Sequence, residues 1–106
     1  MTIKLAFDFD LPARQHQAQA ACGDAFTHSV VRPDDAAVVI VGEPDKCQSY
    51  LNDKKTVVFW PENGEHAHFR AKGRAAILAN RRLFVVGSEK TPGFFDAVVA
   101  AMTAVE

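Results

Sequence analysis

The sequence predicts an α/β domain built on a mostly parallel sheet of four or five strands, with helices packed against it. The first observation behind this is a set of continuous apolar runs: Ala36-Ala37-Val38-Val39-Ile40-Val41, Thr56-Val57-Val58-Phe59-Trp60 and Leu83-Phe84-Val85-Val86-Gly87. β-branched and aromatic side chains dominate them, and they do not alternate with polar residues. Such runs fit strands covered on both faces, as in a parallel sheet flanked by helices. The second observation is that segments with helix-start residues fall between the runs. The third is length. A chain of 106 residues suffices for one domain with one core, burying somewhat more than ~60% of its unfolded surface.

Ile3, Leu5, Phe7 and Phe9, with Ala6 among them, carry the first strand. Asp10 is placed to cap the next helix and Pro12 suits its first turn, so residues 11–22 read as helical. Gly23 closes that helix in a left-handed conformation. Its inner face is Leu11, Ala18, Ala21 and Cys22, small enough to lie close to a sheet, and Arg14, Gln15, Gln17 and Gln19 face outward. Residues 26–31 form a short strand, separated from the central run by only Arg32-Pro33-Asp34-Asp35. A parallel crossover takes a dozen or more residues. This strand is therefore expected antiparallel to its successor, or as an irregular edge segment.

Pro44 opens a short helix in which Cys47, Tyr50 and Leu51 share one side, and Asn52 or Asp53 ends it. After the strand at 56–60, Asn63-Gly64 is a turn signal and residues 65–72 alternate polar and apolar. A β-hairpin extension over 56–72 is expected, with a loop into a longer helix as the rival. Residues 73–82 read as a helix ending in Arg81 and Arg82, where cations suit the dipole. The last helix, 92–105, takes Thr91 as its cap and Pro92 in its first turn. It is expected to bury Phe94, Phe95, Val98, Val99, Met102 and Val105. The whole reads as a single domain over residues 1–106, Rossmann-like or flavodoxin-like in organisation.

Bulk properties exclude several classes. With 48% apolar and 24% charged residues, the chain is not of the disordered type. A net charge of −1 gives no global footprint for nucleic acid. No apolar run approaches the ~18 residues of a membrane span, and Asp8 and Asp10 interrupt the apolar N-terminal stretch where a leader would need its core. Cys22 and Cys47 lie far apart, in no metal-like spacing, and read as buried free thiols of a reducing, cytoplasmic compartment.

In a parallel sheet, ligands bind beyond the carboxyl ends of the strands. That rule gathers Asp8, Asp10, Gly42, Glu43, the stretch from Glu62 to His68 and the segment Gly87-Ser88-Glu89-Lys90-Thr91 along one edge. Asp8, Asp10, Glu43, Ser88 and Lys90 are the candidate ligand-binding residues. Gly87 to Thr91 can offer backbone N–H groups to an anion, but lacks the glycine spacing of a nucleotide loop. His66 and His68, two apart in an extended segment, can face one metal ion, although two ligands do not complete a site. Residues 66–88 hold Arg70, Lys72, Arg74, Arg81 and Arg82 and no acidic residue, whereas residues 8–45 hold seven acidic ones. The basic stretch is a candidate surface for an anionic partner, whether nucleic acid through residues 66–82 or an acidic protein patch.

Two resemblances attach to the same residues. An apolar strand followed by Asp8-Phe9-Asp10 resembles the first motif of the haloacid-dehalogenase phosphotransferases. In that family the first carboxylate attacks phosphorus and the second serves as acid and base. Here Pro12 replaces the small residue or threonine of the family pattern. Two carboxylates after strand one, with Lys90 after the last strand, also resemble a response-regulator receiver domain. Gly42-Glu43 stands where that family carries its phospho-accepting aspartate. Neither resemblance supplies a complete catalytic set, and no motif asks for a cofactor. The expectation is a non-enzymatic binding or adaptor module with a protein partner. The alternative is a small enzyme or ligand-binding protein with a strand-end site for a phosphate-bearing or nucleoside-like ligand.

Overall fold

The computed structural model describes residues 3–23, 28–61, 80–87 and 91–105. In order these form β1 (Ile3–Asp8), α1 (Pro12–Cys22), β2 (His28–Val30), a 3-10 turn (Pro33–Asp35), β3 (Val38–Val41), α2 (Pro44–Asn52), β4 (Thr56–Phe59), β5 (Leu83–Val85) and α3 (Phe94–Ala104). The five strands make one sheet in the order β2-β1-β3-β4-β5, and every pairing is parallel. This is the α/β architecture the apolar runs predict, with a flavodoxin-like strand order. The part of the expected hairpin beyond residue 61, and residues 73–79 of the expected helix, lie outside the described residues. Among the described residues no helix is long and apolar enough to cross a membrane.

The continuous apolar runs have the anticipated cause. β3 and β4 are buried at all four positions because both faces are covered. On one face Leu5, Phe7, Val38, Ile40 and Val58 pack with Ala18 and Cys22 of α1 and with Phe94, Ala97, Val98 and Ala101 of α3. On the other, Ala6, Val39, Val41, Val57, Phe59, Leu83 and Val85 pack with Cys47 and Leu51 of α2. Cys22 and Cys47 are buried free thiols on opposite faces of the sheet, so they cannot pair. Burial pushes Cys22 up to about 11 and Cys47 higher still. Neither thiol should react with a thiol-directed reagent at pH 8 until denaturant unfolds the protein, and rapid labelling of the native protein would contradict their burial.

The strand at 26–31 departs from expectation. β2 is parallel to β1 at the sheet edge, and its successor β3 lies on the other side of β1. A short link suffices because of register. β2 flanks the first half of β1, with Ile3 opposite His28 and Leu5 opposite Val30, and β3 begins opposite Leu5. The chain therefore steps sideways across β1 without running back along a strand, and that return is what ordinarily makes a crossover long. Val31 N–H donates to the Leu5 carbonyl and Ala37 N–H to the Lys4 carbonyl, which fastens both ends of the step to β1.

Helix ends and faces differ in detail. Leu11, not Asp10, occupies the N-cap position of α1, without a side-chain cap, because the Asp10 carboxylate is drawn to an ammonium group described below. Leu11 is accordingly exposed rather than on the inner face. Gly23 closes α1 with a positive φ of 40°, but its ψ of −130° lies outside the left-handed helical conformation expected of it. Gly93, not Thr91, precedes α3, and the Asp96 carboxylate accepts the Gly93 N–H at 3.0 Å. The Thr91 hydroxyl instead donates to the Val85 carbonyl at 2.6 Å, which ties the lead into α3 to the end of β5. α3 buries Phe94, Ala97, Val98 and Ala101, whereas Phe95 and Val99 are half exposed. Residues 80–82 are not helical. They form the lead into β5, and Arg82 donates to the Leu51 carbonyl at 3.1 Å, so it serves the C-terminus of α2.

Candidate functional site

All five strands point the same way, so their carboxyl ends share one edge. β1 and β3 are neighbours there, with Asp8 opposite Val41. The chain leaves β1 toward β2 on one side and reaches β3 on the other, which makes this the point where strand order reverses. Such points are where crevices open in doubly wound sheets.

Asp8, Asp10 and Glu43 converge there on the Lys46 ammonium, which the sequence reading does not single out. Lys46 Nζ lies 2.6 Å from Asp8 Oδ1, 3.0 Å from Asp10 Oδ1 and 3.6 Å from Glu43 Oε1. Tyr50, one turn further along α2, donates its hydroxyl to Asp8 Oδ2. Both oxygens of Asp8 are thus occupied by α2. Glu43 also accepts the Asp10 N–H at 3.1 Å, which ties the β1–α1 loop to the β3–α2 loop. Pro44 sets α2 to start directly after Glu43, so Lys46 and Tyr50, at i and i+4, reach the end of β1 from one side of the helix. A cation in the first turn opposes the helix dipole, and the three carboxylates offset that.

The electrostatics follow from this geometry. Burial works to raise the Asp8 pKa, but the hydrogen bonds from Lys46 and Tyr50, with the Lys46 charge, hold it below its ordinary value. Burial works to lower that of Lys46, and the hydrogen bonds and charges of Asp8 and Asp10 raise it instead. Tyr50 is pushed up to about 12, first by burial and then by donating to the Asp8 carboxylate. Three carboxylates against one ammonium leave the cluster with an excess of negative charge, a poor setting for a phosphate group. Lys46 occupies the centre where a bound cation would sit, and no group of three or more His, Cys, Asp or Glu among the described residues has a metal-binding arrangement.

Beside the cluster, Gly42 brings the end of β3 against Phe9. A β-carbon at Gly42 would collide with the edge of the Phe9 ring and fall 2.9 Å from Arg14 Nη1. The Arg14 guanidinium lies 5.3 Å from the centroid of the Phe9 ring and donates to the Trp60 carbonyl at 2.8 Å, joining α1 to the end of β4. Gly42→Ala should cost ~1–2 kcal/mol, because buried Phe9 must move. An unchanged urea midpoint would show that the ring has room.

Of the other candidates, Arg81 and Arg82 stand at the opposite, amino-terminal end of the sheet. Val57 is paired with Leu83, and the Val57 N–H donates to the Arg82 carbonyl at 2.7 Å. The Arg82 guanidinium and the Lys54 N–H both donate to the Leu51 carbonyl, so the lead into β5 meets the end of α2. Ser88, Lys90, His66, His68, Arg70, Lys72 and Arg74 lie outside the described residues.

No known protein family, curated protein or solved structure matches this chain.

Proposed function

We propose that the chain is a non-enzymatic binding or adaptor module, and that its strand-end carboxylates serve to fix the scaffold. The observation that carries this reading is the state of Asp8. A nucleophile or general base must be free to turn toward its substrate. Asp8 directs both oxygens at α2, to Lys46 and Tyr50, and its pKa is held down, which weakens it as a base. Asp10 and Glu43 meet the same ammonium. The arrangement clamps the β1 and β3 ends to α2 and leaves the outer surfaces of the sheet edges to meet a partner.

A two-dimensional amide titration with magnesium, inorganic phosphate and ATP tests the reading. Unmoved resonances at Asp8, Asp10, Glu43 and Lys46 are expected. Saturable shifts concentrated at those four would overturn it in favour of a strand-end site for a phosphate-bearing ligand.

A further inference from the structure

We draw no further inference here: the strongest candidate, the outer edge of β2 with its exposed Val30 side chain, carries nothing because nothing in the structure shows what covers it.

Discussion

Lys46→Met should lower stability by about 2 kcal/mol at neutral pH. The variant keeps most of the aliphatic stem but leaves Asp8, Asp10 and Glu43 facing one another without their common cation. Breaking a fully buried pair costs ~3–5 kcal/mol, and an exposed one ~0–1 kcal/mol. The Lys46 and Asp8 side chains are 24% and 32% exposed, and Asp10 is 67% exposed, so the value falls between those limits and solvent screens part of it. Asp8→Asn should cost less, because the amide oxygen still accepts from one partner. In the double variant the two losses should not add, since each removes the same contact. Additive losses, or a Lys46→Met midpoint equal to that of the parent, would reduce the cluster to an ordinary surface ion pair.

The pH dependence has a definite sign. Asp8 has an ordinary value of 3.8 and is held below it in the folded protein. Its contribution is therefore complete above that value and is lost as pH falls through the lower folded value. Lys46 has an ordinary value of 10.5 and is raised, so its contribution is complete below 10.5 and is lost as pH rises through the folded value. The gap between parent and Lys46→Met should be full from pH 5 to 9, close below pH 4, and narrow in high salt. A gap that widens in acid would contradict the clamp.

The sheet was legible because strands buried on both faces must be apolar throughout, and few other structures demand such runs. The gathering of Asp8, Asp10 and Glu43 at one edge then follows from parallel direction alone. Lys46 was not legible. A lysine in the first turn of a short helix reads as solvated, and its partner Asp8 is 38 residues away. Tyr50 reads as part of the apolar side of α2, which is right for its ring and silent about its hydroxyl. The step from β2 to β3 escapes a count of link residues, because register and not chain length decides it. In α3 the large side chains point to the wrong stripe, since the buried one runs through Phe94, Ala97, Val98 and Ala101 at i, i+3, i+4 and i+7. The alanines belong to it because they let the helix approach the sheet, and a single stripe cannot also bury Phe95 and Val99.

That stripe makes Phe94 the residue whose loss should be felt most. Its ring centroid lies 4.3 Å from that of Trp60, and it packs in the cluster that joins α3 to Leu5, Phe7, Ile40 and Val58. Phe94→Ala should cost ~3–5 kcal/mol, the transfer of the ring plus the cavity it leaves. Against a total stability of ~5–15 kcal/mol for a domain, that is enough to bring the protein near its unfolding threshold. The chain has one tryptophan, so the local consequence can be read separately from the global one. Trp60 emission in the still-folded variant should shift to longer wavelength as water reaches the vacated ring face. Phe95→Ala is the control, because Phe95 is 50% exposed and should cost far less with little change in emission. Equal losses for the two would mean that the outer face of α3 is as well covered as the inner one, and the packing of this helix on the sheet would have to be drawn again.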